Sequence, residues 1–232
     1  MFKSSLVCAV IDILNGKRYL DFSAGWGDRL VGAIAKQVEL YVGVDPNTDL
    51  KEGHDAIIST LAADEYDARQ RYRIVYQPFQ KAILPEDAKD FDLVFTSPPY
   101  FDFEIYTKKT TGQSIDDYPD FEQWLISFLL ASIRKAWSLL KVGGHLAIHI
   151  ADTREARCCE IMNLFILAKL KNAVYEGVIA SRGMADRPRP IWVFRKAEKL
   201  SDTEIERQHK AEQLAKRYFN RTWRRIESDL FG

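Results

Sequence analysis

Two apolar rhythms alternate along this chain. Short β-rich runs recur at 18–22 (RYLDF), 40–45 (LYVGVD), 72–77 (YRIVYQ), 91–97 (FDLVFTS) and 145–151 (HLAIHIA). Between them, apolar residues return at helical spacing. The N-terminal stretch 1–17 reads as a first helix, followed by helices at 28–37, at 48–62 with Thr48 as N-cap, and near 155–170. Asp120 and Gln123 resemble a capping box opening a helix that carries Trp124, Leu125, Phe128, Leu129, Ala136 and Leu140 and ends at Gly143-Gly144. This alternation predicts an α/β fold with a parallel sheet covered on both faces. The last two strand-like runs, 173–181 and 189–196, have no helix between them and predict an antiparallel hairpin. Ser201 and Glu204 form a second capping-box pattern that opens one long C-terminal helix. The pattern divides the chain into a domain over 1–196 and a basic amphipathic helix over 197–232.

Composition narrows the function classes. The 232 residues carry 33 Lys+Arg and 33 Asp+Glu, a formal net charge of zero, so overall charge does not hold this chain to nucleic acid; a local basic face remains open. The three cysteines, Cys8, Cys158 and Cys159, suggest no disulfide framework and fit a reducing compartment. His54, His145, His149 and His209 show no ligand spacing with cysteines, so no metal is expected. No apolar run approaches the roughly 20 residues that cross a bilayer. Asp12 interrupts the apolar patch at the N-terminus and no small-residue cleavage site follows. The expected location is intracellular, in cytoplasm, nucleoid or nucleus, with no membrane partner.

The first candidate site is the turn LDFSAGWGDRL after the first strand. Gly25 and Gly27 let a ligand approach the backbone, and the next helix N-terminus offers N–H groups and partial positive charge. Asp45 lies twenty residues after Gly25, where an acid can accept hydrogen bonds from ribose hydroxyls. This is the pattern of a nucleoside-bearing cofactor, NAD or S-adenosylmethionine. Leu30 stands where a dinucleotide motif has its third glycine, and the terminal hairpin also leans away from NAD.

The second candidate site is Ser97-Pro98-Pro99-Tyr100, which stops a core strand on two prolines. The corner is rigid and rich in acceptors. The Ser97 hydroxyl and the Pro98 carbonyl can receive hydrogen bonds from a planar amine, and Tyr100 offers a face for stacking an aromatic ring. Hydrogen bonds of that kind draw the amine towards tetrahedral geometry and free its lone pair to attack a methyl sulfonium.

With both motifs in place, the chain resembles the S-adenosylmethionine-dependent amino-methyltransferases of the N4-cytosine/N6-adenine DNA methyltransferase family. That family carries [DNS]-P-P-[YFW] after its fourth strand and D-x-F-x-G-x-G after its first. Here the matching residues are Ser97 to Tyr100 and Asp21 to Gly27, and the resemblance covers roughly 1–196. It implies the class I methyltransferase fold: Rossmann-like, doubly wound and seven-stranded, mostly parallel with an antiparallel last strand. It also implies N-methyl transfer with S-adenosylmethionine, the chemistry of DNA methylation and restriction–modification. Asp21, Gly25 and Gly27 would hold the methionine end of the cofactor and Asp45 its ribose, with Ser23 among the cofactor contacts. Gln77 or Phe79 would neighbour the adenine. Ser97, Pro98 and Tyr100 would act on the target base. The chain departs from the family at Ser23, where phenylalanine is usual and Trp26 offers a substitute aromatic, and at Gln77-Pro78-Phe79, which replaces an acidic position.

A base within a duplex must be flipped to reach such a corner. Pro99 and Phe101 beside it, and Lys108 and Lys109 in the polar loop 107–119, are candidate substrate contacts. DNA is expected ahead of RNA, with a specificity or partner subunit supplying sequence recognition. Lys210, Lys216, Arg217, Arg221, Arg224 and Arg225 form a candidate basic face, to which Arg182, Arg187 and Arg189 add. The alternatives are RNA N6-adenine or protein-amide methylation, and a catalytically silent binding subunit of the same fold.

Overall fold

In the computed structural model, which describes residues 3–64, 66–101, 118, 120–153, 156–181 and 189–232, neighbouring strand residues serve opposite faces of one sheet. Tyr19 packs with one apolar cluster and Leu20 with the other, and Tyr41/Val42 and Leu93/Val94 divide in the same way. The strands are β1 (Arg18–Asp21), β2 (Leu40–Val44), β3 (Tyr72–Val75), β4 (Phe91–Thr96), β5 (Leu140–His149), β6 (Ala173–Ser181) and β7 (Arg189–Lys196). They form a seven-stranded sheet in the order β3-β2-β1-β4-β5-β7-β6. β1 to β5 pair in parallel, while β7 runs antiparallel to both β5 and β6. The parallel sheet and the terminal hairpin thus match the sequence pattern.

Helices α1 (Ser4–Leu14), α2 (Asp28–Ala35) and α3 (Lys51–Leu61) flank one side of the sheet, with the single turn α4 (Ala68–Arg71) leading into β3. Val7, Val10, Leu30, Ala33 and Ile58 carry their core contacts. The other side holds α5 (residues 121–139), α6 (Cys159–Lys169), α7 (Asp202–Tyr218) and α8 (Asn220–Phe231). α5 is continuous over residues 121–139 and takes a π-helical course through Trp124–Leu130.

Three local expectations are revised. Asn47, not Thr48, caps the turn before α3: its side chain accepts the Asp49 N–H at 3.0 Å. α5 ends at Leu139, and Gly143-Gly144 lie inside β5. Gly143 has φ +84°, and a Cβ on Gly144 would come within 2.8 Å of the Phe91 carbonyl, so the glycines serve a strand irregularity rather than a helix stop. The C-terminal stretch is two helices, broken at Phe219, and not one. Both join the main core: Ala211, Ala215, Trp223, Ile226 and Leu230 are buried in the same cluster as the sheet residues. Glu122, in the first turn of α5, accepts from Thr222 at 2.7 Å and from Arg225 at 2.9 Å. Arg225 also pairs with Asp229, so this cation is engaged in docking α8 rather than presented to a ligand.

One buried carboxylate joins four elements. Asp21, at the end of β1, is inaccessible to solvent. Its Oδ2 accepts from Arg29 Nε on α2 at 2.7 Å and from the Tyr41 hydroxyl on β2 at 3.1 Å. Its Oδ1 accepts from the Thr96 hydroxyl on β4 at 2.9 Å and the Ser23 N–H at 3.3 Å. Burial opposes the Arg29 charge, but Asp21 and the two tyrosines outweigh it, and the guanidinium is held firmly protonated.

Asp21→Asn keeps the shape but leaves the Arg29 guanidinium in the core without a counter-charge. We expect a loss of about 3–5 kcal/mol in urea unfolding, partly recovered when Arg29→Met is added. A loss under about 1 kcal/mol would show that the carboxylate is dispensable. Trp223→Ala should cost about 3–5 kcal/mol, in one cooperative transition, because the ring fills the main core. A separate early transition for the C-terminal helices would mean that they form a detachable appendage.

Candidate active site

The chain reverses direction across the sheet between β1 and β4. β2 and β3 lie on one side of β1, and β4 and the later strands on the other. The segments leaving the carboxyl ends of β1 and β4 therefore diverge and open a crevice, the usual ligand site of an open α/β sheet. Both sequence motifs stand there: the glycine turn after β1 and the Ser-Pro-Pro-Tyr corner after β4.

Main-chain bonds tie the glycine turn to the end of β2. The Ala24 N–H donates to the Val44 carbonyl at 3.0 Å, and the Gly25 N–H donates to Asp45 Oδ2 at 2.8 Å. The second Asp45 oxygen, Oδ1, accepts from the Asn47 N–H at 3.0 Å. Burial raises the Asp45 pKa, against the lowering effect of these two amides. Gly25 has φ +56°, and a Cβ built on it would meet no atom closer than 3.9 Å, so its outer side faces open space. Gly27 has φ +92° and no such room: a Cβ would strike Ile57 at 2.7 Å. Gly25 thus leaves a cradle beside the crevice, and Gly27 packs the turn onto α3. The cradle, the Asp45 carboxylate and the α2 N-terminus fit the nucleoside and amino-acid ends of S-adenosylmethionine.

The other expected cofactor residues are placed differently. Asp21 lies behind the turn, with both oxygens committed to protein groups, and acts by holding the turn in place. Ser23 gives its carbonyl to Arg29 and its N–H to Asp21. The Phe79 ring is buried and stacks on Phe22, 5.2 Å between centroids, so it shapes the core and not an open surface. Gln77 is exposed, and its side-chain oxygen accepts the Ile83 N–H at 2.9 Å. Trp26 projects from the turn at 67% exposure.

Sequence reasoning passed over His54. Its Nε2 lies 2.8 Å from the Gly25 carbonyl and its Nδ1 lies 3.0 Å from the Tyr76 hydroxyl. A carbonyl only accepts, so Nε2 carries the proton and Nδ1 accepts from Tyr76. Burial pushes the Tyr76 hydroxyl up to about 12, with Asp55 and Asp45 adding to the shift, and keeps it a donor. The turn is thereby gripped on both sides of Gly25, by Asp45 at the N–H and by His54 at the carbonyl. In the sequence, His54 stands out only as one of four histidines without ligand spacing to cysteines.

At the corner, Ser97 Oγ lies 3.1 Å from His149 Nδ1 and 3.2 Å from the His149 carbonyl, either of which can accept its one proton. Pro98 is buried, Pro99 half-buried, and Phe101 packs edge-on against Phe121 and Trp124 of α5 at 5.6 and 5.8 Å. Phe101 therefore anchors the corner to α5. The Tyr100 ring is 6% exposed, and the Arg189 guanidinium lies 5.4 Å from its centroid. A base stacking on that face of Tyr100 would have to displace Arg189. Lys108, Lys109, Arg182 and Arg187 lie outside the described residues. Arg221 and Arg224 are exposed on α8.

Among the described residues, one grouping has metal-ligand character: Asp152, Cys158 and Cys159. Asp152 Oδ1 accepts the N–H groups of both cysteines at 2.9 Å, which caps α6. No helix among the described residues is long and apolar enough to cross a membrane.

No protein-family model and no curated protein sequence matches the chain. Solved structures do. Residues 961–1257 of StiE O-MT match with TM-score 0.57 at 14% identity, over 90% of this chain and 78% of that one. An rRNA methylase from Streptococcus thermophilus matches with TM-score 0.53 at 12% identity, over 85% of this chain and 99% of that one. TrmN from Thermus thermophilus matches with TM-score 0.52 at 14% identity, over 83% of this chain; the match spans 48% of TrmN, about half its length. At these identities the likeness is one of fold, and the fold is the Rossmann-like class I methyltransferase fold, a seven-stranded mixed sheet with helices on both sides.

Proposed function

We propose that this chain is an S-adenosylmethionine-dependent methyltransferase acting on the exocyclic amine of a nucleobase, N4 of cytosine or N6 of adenine, with DNA ahead of RNA. One juxtaposition carries the reading. The acceptor-rich Ser97-Pro98-Pro99-Tyr100 corner and the Gly25–Asp45 cradle leave adjacent, paired strands on the same end of the sheet. Bound S-adenosylmethionine supplies an electrophilic methyl group. The chain's own residues do the rest. Asp45 and the turn amides bind the nucleoside and amino-acid ends, Ser97 and the Pro98 carbonyl orient the amine, and Tyr100 stacks the ring once Arg189 has moved off its face. The Ser-Pro-Pro-Tyr form favours DNA, and the rRNA methylase among the similar folds makes RNA the second reading. The exposed Arg221 and Arg224 are candidate phosphate contacts.

Incubation with methyl-labelled S-adenosylmethionine and separate DNA, RNA and protein pools, then digestion to nucleosides and mass spectrometry, tests the reading. N4-methylcytosine or N6-methyladenine from DNA is expected. Label confined to RNA selects the second reading, and label in protein alone overturns both. Asp45→Ala removes ribose bonds worth about 1.5–3 kcal/mol, so S-adenosylhomocysteine affinity should fall roughly ten- to a hundredfold by calorimetry. Unchanged affinity would take Asp45 out of the site.

A further inference from the structure

The proposed function does not use His149, yet its imidazole meets the first residue of the corner. Thr96 and Ile148 pair in register at the ends of β4 and β5, which brings Ser97 and His149 side by side as the strands finish. Among the described residues, both groups that approach Ser97 Oγ belong to His149: Nδ1 at 3.1 Å and the carbonyl at 3.2 Å. A hydroxyl has one proton, and His149 receives it. The outer lone pairs of Ser97 are then left as acceptors for an incoming N–H.

Resting on the methyltransferase reading, we propose that His149 is the positioning residue of the acceptor corner. It fixes the Ser97 hydroxyl as an acceptor towards the substrate amine, and through Ser97 it takes the proton that the amine must lose.

The step balances. The amine lone pair forms the new N–CH3 bond as the C–S bond breaks, and that electron pair stays on sulfur. The nitrogen becomes cationic and gives one proton to Ser97 Oγ, while the Ser97 proton passes to His149 Nδ1. The resulting imidazolium releases its proton to solvent. The surroundings suit this role. Ser97 faces His149 from β4, Arg189 is near it from β7 and Arg29 from α2. Burial first, then the two guanidinium charges, hold the imidazole pKa down to about 4. The ring is therefore neutral at physiological pH, and as an imidazolium it sheds its proton quickly. An N-protonated methylated aromatic amine is a far stronger acid than an imidazolium, so transfer to this weak base runs downhill. The proposal requires the Nε2–H tautomer, with Nδ1 unprotonated.

Nitrogen-15 NMR of histidine-labelled protein tests the couple without catalysis. The His149 Nδ1 signal should be that of an unprotonated, hydrogen-bonded nitrogen, should titrate only near pH 4, and should shift in Ser97→Ala. An Nδ1–H tautomer indifferent to Ser97→Ala overturns the proposal. The second arm is single-turnover methyl transfer with cofactor and substrate saturating. His149→Ala should lower the rate about a hundredfold while S-adenosylhomocysteine affinity stays unchanged. His149→Asn keeps an acceptor oxygen but no basic nitrogen, so it should be nearly as slow. A wild-type rate in His149→Ala overturns the whole proposal, and a wild-type rate in His149→Asn overturns proton transfer. If the unmodified protein labels no pool, the methyltransferase reading fails, and the NMR arm still decides whether His149 holds the Ser97 proton.

Discussion

The arrangement at the crevice depends on one ion pair buried behind the glycine turn. A carboxylate and a guanidinium buried this deeply are costly to desolvate, and attraction repays that cost only when the remaining lone pairs are also satisfied. Asp21 meets the condition through Tyr41, Thr96 and the Ser23 amide. Those partners stand on β2, on β4 and at the head of the glycine turn. The geometry that makes the pair tolerable also fixes where the turn and the Ser-Pro-Pro-Tyr corner begin. The Tyr19 hydroxyl adds a parallel link, donating to the Phe95 carbonyl at 3.0 Å.

Around this anchor the two halves of the proposed site are built by different means. The cofactor side is mainly backbone, gripped by Asp45 and His54 on either side of Gly25. Its precision comes from peptide groups that cannot rotate away. The acceptor side is mainly side chain: the Ser97 hydroxyl, the Tyr100 ring and the Arg189 guanidinium lying over it. Different acceptor chemistries can therefore be served by altering the second half while the first stays as it is.

Much of this was legible in the sequence because it is local. A strand ending on two prolines, a glycine turn and an acid twenty residues on are short-range patterns with short-range causes. The Asp120 and Ser201 caps follow the same logic and stand as expected. What escaped is long-range. His54 and Gly25 are 29 residues apart, and Ser97 and His149 are 52 apart. Only sheet order and register bring them together. Phe79 shows the same long-range pull: it follows β3 at the crevice end, yet its ring packs on Phe22 in the core. The break at Phe219 has no strong signal, being neither proline nor glycine. The two helices part because Trp223, Ile226 and Leu230 must turn inward to meet the sheet.

That inward turn bears on how the chain is made. The cluster that backs β4 and β5 includes Trp223, Ile226 and Leu230, while its first strand residue is Leu20. During synthesis part of the opposite face can gather early, because α1, α2 and the first two strands emerge within the first 44 residues, although Ala147, Ile191 and Val193 join it later. The face behind the acceptor corner cannot close until α8 has left the ribosome. Until then α5 and α6 expose the apolar surface that α8 will cover, and a nascent chain in that state is a natural client for chaperones. Competence at the acceptor corner is thus conferred late, by residues more than a hundred positions beyond it.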